Sequence, residues 1–127
     1  MNRDFGLYAE DILDAIGKIA EFIGELDFEG FVEDEKTSSA VILQLIIIGE
    51  ASKNIPEEIR AKYPDVPWSD MARMRDRISH GYFGINLKII WEVVKKRLPA
   101  LKPRIAKILI ELDYGNDYKD SLEGGKL

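Results

Sequence analysis

The 127-residue sequence has no cysteine and only one histidine. Without cysteine there is neither a disulfide framework nor thiolate chemistry. A lone histidine excludes His-rich metal sites, and no acidic loop has the spacing of a calcium ligand set. No metal or other cofactor is expected. Long apolar runs are also missing. The longest, Ala40 to Ile48, is broken by Gln44 and falls far short of the roughly 20 residues of a membrane span. The N-terminus carries acids and no apolar h-region, so no secretory signal is expected and the expected location is cytoplasmic.

What is present suits a single globular domain. The chain is 46% hydrophobic and 32% charged, and its length allows a substantial core. Its net charge of −5 is unevenly spread. Residues 1–35 hold 2 bases and 11 acids, residues 60–107 hold 12 bases and 4 acids, and residues 111–127 hold 2 bases and 5 acids. Such asymmetry suits a polyanionic partner for the basic part. Solvated helix faces would produce the same pattern.

The periodicity is helical throughout. From Asp4 to Leu26, apolar residues recur at three- and four-residue steps, from Phe5, Tyr8 and Ile12 to Phe22, Ile23 and Leu26. That spacing predicts an amphipathic helix with Asp4 as its cap and residues 27–31 as the turn after it. A second helix is expected over Glu33 to Ile55. Its β-branched middle would also suit a buried strand, but some 20 positions without turn punctuation favour a helix, apolar on all sides and central. Gly49 within it either admits a close neighbour or is merely tolerated. Pro56 suits the first turn of a short helix ending near Lys62. After the loop 63–67, Pro67 opens a helix that ends near His80, with Gly81 as its C′ residue. Asn86 caps a long last helix, which Pro99 and Pro103 should kink or split. The expectation is an all-α up-and-down bundle of four to five helices over residues 1–112, followed by a flexible tail over 113–127.

Chemistry concentrates between Met71 and Tyr82, which hold Arg73, Arg75, Asp76, Arg77 and the single His80. Histidine, with a reference pKa of about 6.5, can take and return a proton near neutral pH. Arginine can grip a phosphate and stabilise charge on a pentavalent phosphorus. Asp76, four residues before His80, lies on the same helix face and could orient the imidazole. Together these residues suit RNA phosphodiester cleavage, in which the 2′-hydroxyl is the nucleophile and no metal is required. Arg75 is five residues before His80, about 140° round a regular helix. The two therefore converge only if the helix unwinds or a second copy contributes its own set. The bland alternatives stand beside this reading. Helix-terminal histidines commonly act as caps, and surface arginines commonly form weak ion pairs.

The order Pro67-Trp68, Met74-Arg75-Asp76 and His80-Gly81-Tyr82-Phe83-Gly84-Ile85-Asn86 resembles the HepT-like branch of the HEPN ribonuclease superfamily. The segment Gly49-Glu50-Ala51-Ser52-Lys53 is similar to that family as well. The resemblance implies a homodimer with both motifs facing one cleft, and metal-independent RNA cleavage by Arg75 and His80 with Asp76 assisting. Arg73 and Arg77 would bind RNA phosphates. It also implies a toxin–antitoxin setting, in which a minimal nucleotidyltransferase partner silences the toxin by transferring AMP to the motif tyrosine, here Tyr82. Asp76 departs from the asparagine that many HepT-like sequences carry there. The rival expectation is a catalytically silent module of the same fold, which binds the nucleotidyltransferase and is modified by it. A purely structural bundle fits the composition but not the motif.

Overall fold

The structure, a computed structural model, describes residues 5–81 and 84–111. Among these residues every regular element is helical. The elements are α1 (Phe5–Ile23), α2 (Phe28–Glu33), α3 (Glu35–Lys53), α4 (Glu57–Lys62), α5 (Trp68–His80), α6 (Leu87–Glu92), a π-helical turn (Val93–Arg97) and α7 (Leu98–Glu111). The all-α bundle expected from periodicity is what forms, with the short α4 where it was expected and a further short helix, α2, that was not. No described helix is long and apolar enough to cross a membrane. The expected cap Asp4 and the expected tail lie outside the described residues.

Helix α1 buries the stripe that its spacing defines, including Ile12, Ile16, Ile19 and Ile23. It ends three residues before Leu26 because Gly24 adopts φ +51 and returns its N–H to the Ala20 carbonyl. Glycine enters this left-handed region without a Cβ penalty. The stretch expected to be only a turn is a helix. The Asp27 carboxylate accepts from Gly30 N at 2.8 Å and starts α2, and Asp34 caps α3 in the same way through Thr37 N at 3.0 Å.

Helix α3 is central. It packs on α1 along one side and on α5 along another, while α7 closes against α1. Full burial of side chains such as Ile12, Val41, Ile105 and Leu109 contributes about 1.5–3 kcal/mol each. The apolar surface expected on all sides of α3 is not all covered: Leu43 is 55% exposed and Ile47 36%. A strip of α3 therefore has no cover within the described residues.

The last helix is not split. The two prolines are accommodated in different ways. The π-helical turn lies just before Pro99, with Leu98 N donating to the Val93 carbonyl five residues back. Proline offers no N–H, and a local change of hydrogen-bond register absorbs the loss. Pro103 sits inside α7, which continues through it to Glu111.

Candidate active site on α5

Helix α5 is fixed at its start by the loop before it. Trp68 is buried and donates Nε1–H to the Tyr63 carbonyl at 3.0 Å. The Tyr63 hydroxyl donates to Glu111 at 3.0 Å, and Arg104 reaches the Asp65 carbonyl at 2.6 Å. Burial and the Glu111 carboxylate together raise the Tyr63 pKa. The Pro67-Trp68 pair of the motif thus anchors the helix that carries the site. At the far end Gly81 has φ −127 and donates to the Arg77 carbonyl. It ends the helix without the left-handed conformation expected of a C′ glycine.

The middle of α5 is seated on Gly49 of α3. A Cβ there would run into the Cβ of Arg75 and come within 2.8 Å of the Met71 carbonyl oxygen. The close approach that was one of two expectations for Gly49 is therefore what the packing uses. It carries the Arg75 side chain, 28% exposed, over the end of α3. There Arg75 Nε lies 2.9 Å from Glu50 Oε2, off the N–H axis, so the contact is a close ion pair rather than an aligned hydrogen bond. Arg75 Nη1 donates to Asp76 Oδ1 at 3.1 Å, and Lys53 Nζ donates to the same oxygen at 2.7 Å. Hydrogen bonds from Lys53 and then Arg75 lower the Asp76 pKa, so its carboxylate is ionised well into acid.

This arrangement corrects the role expected of the Asp76 side chain. Its carboxylate is held by Lys53 and Arg75. The main-chain carbonyl of Asp76 contacts His80 Nδ1 instead, at 2.8 Å. A carbonyl only accepts, so Nδ1 carries the hydrogen and Nε2 of the exposed His80 is the nitrogen left for proton exchange. Arg75 and His80 leave one unbroken helix on different sides, so a single chain does not bring them together in the way their joint use would need.

Arg73 and Arg77 are exposed on the His80 side of α5. Arg73 lies 3.9 Å from Asp70, a loose pair. Tyr82 lies outside the described residues. Two site residues were not read from the sequence as contributors to the charge cluster: Glu50 and Lys53. The available signal was a charged i,i+3 pair ending an apolar helix whose Gly49 invites contact. Among the described residues no group of three or more His, Asp or Glu side chains is disposed to hold a metal ion.

Comparison with known proteins bears on this geometry. The family model "Ribonuclease HepT-like" matches residues 12–108, from α1 to near the end of α7. A protein of Thermococcus cleftensis named "Probable ribonuclease HepT" is 48% identical over 108 residues, covering 85% of this chain and 98% of the relative. A candidate RNase of Methanocaldococcus jannaschii is 42% identical over 111 residues, covering 87% and 92%. A candidate RNase of Caldanaerobacter subterraneus subsp. tengcongensis is 43% identical over 102 residues, covering 80% and 91%. No solved structure matches the chain.

Proposed function

The chain belongs to the ribonuclease HepT-like family, and we propose from that premise that it is a metal-independent endoribonuclease, the cytoplasmic toxin of a toxin–antitoxin pair. The observation that carries the reading is the family match across the whole of α5, where His80 presents a free Nε2 and Arg75 a guanidinium. Neutral His80 takes the proton of an RNA 2′-hydroxyl as that oxygen attacks the neighbouring phosphorus. The P–O5′ bond breaks, a cyclic 2′,3′-phosphate forms, and the departing 5′-oxygen receives a proton from an imidazolium or from water. Arg75 stabilises the charge that builds on the non-bridging oxygens, with Arg73 and Arg77 holding adjacent phosphates. Asp76 positions Arg75 through its carboxylate and His80 through its carbonyl.

Two observations support a homodimer. Arg75 and His80 point apart on one helix, and the uncovered Leu43 and Ile47 on α3 lead directly to Glu50 beside Arg75. A second copy packed on the α3–α5 face would cover those side chains and bring the arginine of one chain toward the histidine of the other. A minimal nucleotidyltransferase is the proposed antitoxin and Tyr82 the residue that it modifies with AMP. The added phosphate would then occupy the arginines and repel RNA.

A silent binding module is the second reading, and one observation favours it: Arg75 is already engaged by two carboxylates. Cleavage of a generic RNA in EDTA by the wild-type chain and by His80→Ala separates the two. Loss of at least about a hundredfold in His80→Ala, with unchanged helical circular dichroism, supports catalysis. Equal background in both, for protein whose intact mass shows no AMP, leaves the binding module.

A further inference from the structure

On the side of α5 turned away from Glu50, a groove of about 830 Å³ runs between α5 and the last helix. Its lining includes the buried Ile78, Ile90 and Val93, the partly buried Met74 and Ile85, and Ile89, which is 55% exposed. Arg77 of α5 and Arg97 of the π-helical turn stand among its lining residues, both exposed. The two acids of this lining already face other cations: Asp70 lies 3.9 Å from Arg73 within the lining, and Glu92 pairs with Lys96 outside it at 3.6 Å. Arg77 and Arg97 have no ion-pair partner among the described residues. The groove is therefore apolar at its base and carries two uncommitted cations.

We propose that this groove is a nucleobase subsite for single-stranded RNA, with Arg77 and Arg97 holding the phosphates that flank the bound base. Two features choose RNA as the occupant. The first is charge: free guanidiniums over an apolar floor complement a phosphate chain whose bases can leave solvent. The second is continuity. His80 follows Arg77 by three residues, about 4.5 Å along the axis, so a strand with its scissile phosphate at His80 Nε2 runs directly onto the Arg77 edge of the groove. An aliphatic floor with no fixed donor set distinguishes bases weakly, so the subsite contributes affinity and register with little sequence preference. Arg97 is the last residue of the π-helical turn, where the helical register changes just before Leu98.

The inference rests on the ribonuclease reading, and its test separates the two. The full chain carrying His80→Ala would be titrated with a fluorescein-labelled 12-nucleotide single-stranded RNA, followed by anisotropy at several salt concentrations. The same titration would be made with Arg97→Ala and Ile89→Asp added singly, with Lys18→Ala on α1 as control. Ile89 and Arg97 are exposed, so both variants should retain the helical circular dichroism of the parent. The expected result is binding weakened about five- to tenfold by each groove variant and unchanged by Lys18→Ala. The salt slope should fall by about 0.7 for Arg97→Ala and stay constant for Ile89→Asp. Groove variants that bind like the parent, beside a wild-type chain that cleaves RNA, would overturn the subsite and leave the ribonuclease reading intact. Groove-dependent binding by a wild-type chain that cleaves nothing would uphold the subsite and overturn the ribonuclease. A chain that neither binds nor cleaves RNA overturns both.

Discussion

The two flanks of α5 carry the same kind of side chain in opposite states. On the α3 flank, Arg75 is partly buried and neutralised by Glu50 and Asp76. On the groove flank, Arg77 is exposed and Arg97 faces the same space from another element, neither with an ion-pair partner among the described residues. The difference comes from packing. Gly49 removes the bulk that would hold the helices apart, and the close approach brings Arg75 of α5 within ion-pair distance of Glu50 at the end of α3. Nothing of that kind closes the groove. An arginine-rich helix is thus half structural connector and half open cationic surface, and residue type alone does not separate the halves.

The largest effect on stability should follow from breaking the close flank. Gly49→Ala improves intrinsic helix propensity by about 1 kcal/mol, yet its methyl meets the Arg75 Cβ and the Met71 carbonyl, neither of which can swing aside. The expected net outcome is destabilisation by about 2 kcal/mol, measured by urea unfolding. Stabilisation would mean that α5 shifts freely and that the contrast between its flanks is soft.

A smaller effect is expected from freeing Arg75. Glu50 is 53% exposed, and pairs of this kind contribute about 0.2–1 kcal/mol. Glu50→Gln should leave the fold intact and lower the KM for RNA by up to about fivefold, since phosphate no longer competes with a carboxylate. A raised KM instead would make Glu50 a positioning residue that aims Arg75 at the substrate.

The smallest effect is a dependence on acid. The Asp76 pKa is lowered by Lys53 and then Arg75. Its contribution to stability is therefore fully present above the unfolded carboxylate value of about 3.9 and is lost as pH falls through the lower folded value. Unfolding midpoints of the wild type and Asp76→Asn should differ slightly at pH 7, begin to converge as pH falls below about 4, and meet only below the lowered folded value. A constant gap across that range would assign the Asp76 effect to packing rather than charge.

Much of the fold was legible because helix signals are local. The Ile12–Ile23 stripe, the Asn86 cap and the stop near His80 each depend on residues within about four positions. Asp27 and Asp34 show the same locality, and α2 was missed only because its six residues resemble a turn. The prolines near 99 announced a disturbance, but not that a π-helical turn would absorb it. Of the candidate site, Arg75, Asp76 and His80 stood out by type and spacing. Their partners did not: Lys53 lies 23 residues before Asp76, and nothing local favours a lysine over an imidazole as that carboxylate's partner.

The sequence by itself determined the all-α class, the helix that bears the site, and the resemblance that the comparisons upheld, since periodicity, caps and motif spacing are written in neighbouring residues. The tertiary structure decided which charges on that helix are occupied. Ion pairing falls steeply with distance and solvent access, and both depend on how closely α3, α5 and the last helix approach. Gly49 sets that approach on one flank, and on the other the groove leaves the cations uncommitted.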